Sequence, residues 1–364
     1  MRVAAPLRRA LNRVTGVRPP RQSLLLVADR AGWILDEIAR EVQTRLPLSL
    51  HGRVVEREWV DAQACTIHFI NRVWAWADGV LDGVHPSNRL IGLWWHGRLD
   101  STEPAMQGAL SRLRALHHRF ERLQVTCSIA RDTLLALGVP TEKIVMLPEG
   151  VNTSLFRPAD EVARTAVRRE LDIPEAAVVV GCFQKDGEGW DAGDVPKAVK
   201  GPDVFVDALV RLHARQPVTA LLPGPARGYV AGRLAAAGIP VCAPGLMPRA
   251  AVPRLYHALD LYVSPSRDEG GPAGLLEAMA SGIPVVSTRA GMAVDVIESG
   301  RNGALVDVDD GGGLADAAAE LLASPETRRV MAAQALSTIA HYDWATLVPR
   351  YVHDLYDPVH PGLM

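Results

Sequence analysis

The 364-residue chain carries 39 basic and 41 acidic side chains, for a formal net charge of −2, and 48% of its residues are hydrophobic. That balance lacks the basic excess of a strong nucleic-acid binder, and the length implies two domains rather than one core. No apolar run reaches the roughly 18 residues that span a bilayer, and four scattered cysteines without a Cys-x-x-Cys pair suit buried thiols in a reducing compartment, the cytoplasm.

Residues 1–22 hold six arginines and no acid, and Leu7, Leu11 and Val14 can share a helical face beside Arg8, Arg9 and Arg13. Two readings stand side by side here: peripheral contact with an anionic membrane face, or a frayed basic tail. The first fold opens at SLLLVAD (23–29) and continues into RAGWILDEIAREVQTRL, where Ile34, Ile38 and Val42 recur at helical spacing. ACTIHFI (64–70), LIGLWW (90–95), LQVTCS (123–128) and KIVMLP (143–148) read as further strands, with a helix over 105–122. Breakers within 153–175 put a domain boundary there, at 160/161.

Six more apolar runs follow: AAVVVGCF (176–183), PVTALLPG (217–224), IPVCAPG (239–245), LDLYVSPS (259–266), IPVVSTRAG (283–291) and GALVDV (303–308). Helical patterns at 201–214, 225–237, 249–258, 273–281 and 312–323 lie between them, and another closes the chain at 344–356. Strand–helix alternation of this kind predicts an α/β fold with parallel sheets covered on both faces. Two Rossmann-like doubly wound domains facing across a cleft are expected: 23–160 with 344–364 returning to it, and 161–343. Ligands in such sheets sit at the carboxyl ends of the strands.

Two local features carry chemistry. The stretch SRDEGGPAGLLEAMASG (266–282) sets Glu269 and Glu277 eight positions apart around a glycine turn and a helix start. Pro272 suits the first helical position, the amides of Ala273 and Gly274 then face an anion, and Gly270 and Gly271 allow close backbone approach. A carboxylate accepts from a pair of vicinal hydroxyls, so two of them around a phosphate cradle fit a molecule with a diol at each end. The bland alternative is two surface acids near a helix start. The second feature is lysine usage: only four of the 39 basic residues are lysine, and Lys185, Lys197 and Lys200 fall in one sixteen-residue window.

EGGPAGLLEAMASGIPVV followed by AGMAVDVIESGRNGALVDVDD resembles the Glu-x7-Glu region of retaining glycosyltransferases of the GT-B fold, family GT4. LPEGVNTSLFRP (147–158), GCFQKD with KAVKGPDVFVDALVRL, and DWATLVPRYVHDLY resemble that family's crossover, phosphate-binding and terminal-helix segments, in the same order. The similarity is strong over 140–345 and weaker before it. It implies a metal-independent hexosyltransferase-type enzyme that needs no cofactor and uses a nucleotide-sugar donor. Lys185 and Lys200 would hold the diphosphate, Glu269 the donor sugar and Glu277 the ribose, with His96, after LIGLWW, near the anomeric carbon. A carbohydrate, lipid-linked or small-molecule acceptor is expected on the first domain, with Trp33, Arg98 and Asp100 as candidate contacts. The chain departs from the family's pattern at Pro272, at Asp295 in place of glutamate, at Glu149 in place of asparagine, and in the longer loop DGEGWDAGDVP. A sugar-nucleotide epimerase on the same plan and a non-catalytic interaction subunit are the other readings.

Overall fold

The computed structural model describes residues 22–28, 34–70, 76, 79–101 and 103–360. Trp33, Trp74 and nearly all of the basic segment 1–22 lie outside the described residues. The chain forms two compact units: residues up to Glu149 together with those from Trp344 onward, and Gly150–Asp343. The division falls ahead of the expected 160/161. Residues just past Glu149 are tied to the far end of the second unit, where Val151 N–H donates to Tyr342 (2.9 Å) and Thr153 N–H to the Asp343 carboxylate (2.9 Å).

The first unit is a six-stranded sheet of β1 (Leu24–Val27), β2 (Arg53–Val55), β3 (Thr66–Phe69), β4 (Arg89–Trp94), β5 (Arg122–Val125) and β6 (Ile144–Met146), in the order β2-β1-β3-β4-β5-β6. Every pairing is parallel. β1 is apolar along its length and fully buried, as a strand covered on both faces requires. Helix Trp344–Arg350 and the π-turn Tyr351–Tyr356 lay Trp344, Leu347, Tyr351 and Tyr356 into the core that holds Leu24, Leu26 and Leu93. Of the early tryptophans, Trp59, Trp76 and Trp94 are buried core residues.

His68 sits in β3, 1% exposed, with Nδ1 3.1 Å from the Tyr356 hydroxyl. Burial pushes its pKa down to about 3 from an ordinary 6.5. The unfolded chain therefore binds a proton between those values that the folded chain refuses, and stability falls as pH falls through that window. From pH 7 to 5 the expected loss is about 2 kcal/mol. Urea midpoints measured at pH 7, 6 and 5 should show it, with a shallower dependence in His68→Gln. Equal slopes in the two proteins would remove His68 as the cause.

The second unit is a six-stranded sheet of β7 (Val179–Gly181), β8 (Thr219–Leu221), β9 (Val241–Cys242), β10 (Leu261–Ser264), β11 (Val285–Thr288) and β12 (Ala304–Val306). Its order is β12-β11-β10-β7-β8-β9, again all parallel. Helices Pro202–His213, Gly228–Ala236 and Gly311–Ala323 pack Phe205, Leu209, Val230, Leu234 and Leu314 against it. Strand order reverses between β7 and β10, so the crevice at their carboxyl ends is the topological switch point where doubly wound sheets bind ligands.

Several elements depart from expectation, β2 and helix Ser128–Ala136 among them. The stretch 153–175, expected to hold the domain boundary, contains helix Glu161–Glu170, capped by the Asp160 side chain on Ala163 N–H (2.8 Å). Its buried Arg168 donates to the carbonyls of Glu175, Ala177 and Ala258 and to the Asp260 carboxylate. A charged residue thus faces inward because every donor finds an oxygen. Helix Pro325–Ile339 was not expected, since it buries only Met331, Ala335 and Ile339.

Candidate functional site

The strands β7 and β10 each end in a loop that carries one half of the site. After β10 the chain runs through Ser266 to Glu269, then Gly270 and Gly271, into helix Ala273–Ala280. Pro272 is the cap ahead of this helix rather than its first residue. Ala273 N–H is turned back onto the Gly271 carbonyl at 2.9 Å, and Leu275 N–H takes the Pro272 carbonyl at 2.8 Å. Of the two amides expected to meet an anion, that of Ala273 is therefore already engaged.

After β7 the chain passes Gln184 and Lys185, makes a hairpin, and returns through the turn Ala198–Lys200 to helix Pro202–His213. Arg267 joins the two loops. Its N–H donates to Val199 O (2.9 Å), and its guanidinium donates to Ala198 O (2.8 Å) and to both oxygens of Asp203 (2.8 and 2.6 Å). This clamp seats the Lys200 turn beside the Glu269 loop. Lys200 Nζ lies 2.6 Å from Glu269 Oε1 and also contacts Oε2, with the two side chains 21% and 8% exposed.

Glu277 is buried and held from two sides. The Tyr256 hydroxyl donates to Oε2 at 2.6 Å, and Arg249 Nη2 donates to Oε1 at 2.5 Å. The Arg249 guanidinium in turn lies over the Phe156 ring, 5.0 Å from its centroid. Burial and the neighbouring Glu277 charge push the Tyr256 phenol well above its ordinary value, so it stays a donor. Lys185 places its ammonium over the Trp190 ring at 4.5 Å. Burial, and then Lys200, lower the Lys197 pKa. Cys182, beneath the loop, is pushed up by burial to about 11 and stays a thiol.

The second unit brings together Lys185, Lys200, Glu269, Gly270, Gly271, Ala273, Gly274 and Glu277 at one end of one sheet. His96 and the Arg98–Asp100 pair (2.7 Å) belong to the first unit, with His96 half-buried just after β4 and the pair exposed. Among the described residues no group of three or more His, Cys, Asp or Glu side chains is arranged to hold a metal ion, and no helix is long and apolar enough to cross a membrane. Sequence reasoning missed Arg249, Tyr256, Arg267 and Arg227. Arg267 lies inside SRDEGG, where the glutamate and glycines drew the reading past it, and the other three sit in no recognisable motif.

Two doubly wound parallel sheets, one in each unit, with the C-terminal helix packed on the first, make this the GT-B fold. The Anabaena HepE structure in complex with UDP and glucose matches 92% of this chain and 99% of its own, at 18% identity and a TM-score of 0.72. Sucrose-phosphate synthase from Thermosynechococcus elongatus matches 92% and 98%, at 17% identity and a TM-score of 0.73. Residues 192–324 match the family model described as "Glycosyl transferases group 1". The D-inositol 3-phosphate glycosyltransferase of Corynebacterium jeikeium is 29% identical over 244 residues, 64% of this chain and 56% of that protein. The lipopolysaccharide core biosynthesis mannosyltransferase LpsB of Rhizobium meliloti is 30% identical over 211 residues, 55% of this chain and 56% of that protein. The chain thus spans little more than half the length of these curated relatives.

Proposed function

We propose that the chain transfers a hexose from a nucleotide-diphosphate sugar to a hydroxyl of a carbohydrate, lipid-linked or small-molecule acceptor, with retention at the anomeric carbon and without a metal. One observation carries this reading. At the switch point of a Rossmann sheet, two buried carboxylates are each fixed by a cation, Glu269 by Lys200 and Glu277 by Arg249. Such a site offers acceptors for hydroxyls at both ends and ammonium groups for phosphate between them.

In the proposed reaction the bond from the anomeric carbon to the diphosphate breaks and a bond to the acceptor oxygen forms. The acceptor's proton passes to the departing phosphate. Lys200 and Lys185 stabilise the charge that grows on the diphosphate, the largest electrostatic demand of the step. Glu269 orients sugar hydroxyls once Lys200 turns to phosphate, and Glu277, its plane fixed by Tyr256, receives the ribose. The family resemblance assigns His96 to the transferred sugar.

The test is a panel of UDP, GDP and ADP, read by thermal shift and calorimetry. The matching nucleotide at about 100 times its Kd should add about 2.7 kcal/mol of stability. Turnover of the matching sugar nucleotide should persist in excess EDTA. Activity lost to the chelator and restored only by a divalent metal would sink the metal-free part, and binding of no nucleotide would sink the whole reading.

A further inference from the structure

The loop that follows β7 is rooted on a buried ion pair that the reaction as described does not use. Asp186 and Arg227 are 1% and 5% exposed, with Arg227 Nη2 2.9 Å from Asp186 Oδ2. The same guanidinium donates to the Cys182 carbonyl at 2.9 Å and to the Gln184 carbonyl. One side chain therefore holds the carbonyls of residues 182 and 184 by hydrogen bonds and residue 186 by charge, on both sides of Lys185.

The hairpin beyond is closed by Lys197 N–H on Asp186 O (2.7 Å) and Glu188 N–H on Val195 O (2.8 Å). Its far turn is held by the residues next to Arg227, with Gly228 N–H on Ala192 O (2.7 Å) and Tyr229 N–H on Gly193 O (3.0 Å). Gln184, whose carbonyl Arg227 holds, uses its side chain on the second lysine. Its amide donates to Lys200 O at 2.5 Å, and Ser266 Oγ donates to its carbonyl oxygen at 2.9 Å.

We propose that the Asp186–Arg227 pair is the positioning device of the phosphate lysines, fixing Lys185 directly and Lys200 through Gln184. The inference rests on the nucleotide-diphosphate reading of the site. A buried ion pair is a poor source of stability, because desolvation offsets the attraction. Burial indeed outweighs the pull of Arg227 and moves the Asp186 carboxyl up to about 6. What the pair provides is geometry: a rigid planar fork with several donors, set where the backbone must present two ammonium groups to one ligand.

The experiment is calorimetric titration of UDP, GDP and ADP into the native protein, Lys200→Ala, Arg227→Ala, Arg227→Lys and Asp186→Asn, with Tm and amide exchange over 184–200. Misplacing binding groups by about 1 Å costs up to about a hundredfold. Arg227→Ala should accordingly weaken the preferred nucleotide about ten- to a hundredfold and speed exchange over 184–200, while helix Ala273–Ala280 stays protected. Arg227→Lys keeps the charge without the fork and should recover only part of the affinity. Asp186→Asn keeps the shape and carries the test if Arg227→Ala does not fold. Native binding that Lys200→Ala abolishes but the Arg227 and Asp186 variants leave intact would overturn the inference and spare the donor site. Absence of nucleotide binding by the native protein would remove both.

Discussion

Lys200→Ala should lower turnover about a hundred- to a thousandfold, the usual consequence of removing one preorganised charge from a developing anion. Lys200 Nζ contacts both Glu269 oxygens, 2.6 Å from Oε1, and the carboxylate is almost wholly shielded from water. In that state the two charges neutralise each other. In the proposed donor complex a diphosphate is the stronger partner for the ammonium, and the released carboxylate would accept from sugar hydroxyls. One substitution therefore removes two functions: the leaving group loses its counter-charge, and Glu269 loses the cation that contacts it and keeps only the more distant pull of Lys197. Lys200→Arg separates the two effects, because it keeps the charge and changes its shape. It should recover Glu269 pairing, and thus Tm, better than it recovers turnover. Steady-state kinetics with the donor identified by the nucleotide panel, alongside thermal unfolding, decides this. Turnover of Lys200→Ala within twofold of native would end the phosphate assignment.

What could be read from the chain and what could not divides along sequence separation. All six strands of the second unit were legible because each is a short apolar run between turn residues, which is how a strand buried on both faces reads. β2 escaped because three residues of an edge strand, Arg53–Val55, carry almost no pattern. Helix Pro325–Ile339 escaped for a related reason, since three buried positions in fifteen give no clear stripe. In the site, Glu269, Glu277 and the lysines were visible because a local motif or an unusual residue choice marks them. Their partners were not. Arg249 reaches Glu277 across 28 residues, Tyr256 across 21, and Arg267 reaches Asp203 across 64. The adjacency of β7 and β10 in the sheet creates the Arg267–Asp203 contact, and the first two join the segments on either side of β10. Arg168 makes the same point for the fold: a charged residue in a charged helix looks solvated until its carbonyl partners 7 to 90 residues away are known.

Gly201→Ala should lower turnover as far as Lys200→Ala although it removes no charge. Gly201 adopts φ +61°, ψ 41°, and a Cβ there would lie 2.0 Å from the carbonyl oxygen of Pro265. The left-handed conformation alone costs a non-glycine residue about 1–2 kcal/mol. The contact is worse, because its partner is backbone and neither side can rotate away. Gly201 accepts the first helical bond from Phe205 N–H (3.0 Å) and follows directly on Lys200, while Pro265 precedes Ser266, which holds Gln184. Relief of the clash must therefore pull the Lys200 turn off the β10 loop, and the Lys200–Glu269 pair opens with it. Gly238 supplies the control. It has φ +76°, and a Cβ placed there meets nothing within 4 Å. Gly238→Ala should show the conformational cost alone, about 1 kcal/mol, with turnover retained. The excess loss of stability in Gly201→Ala over Gly238→Ala, read from urea midpoints, then measures the close approach at Pro265. Equal losses, or native turnover in Gly201→Ala, would show that the two loops are not locked together at this point.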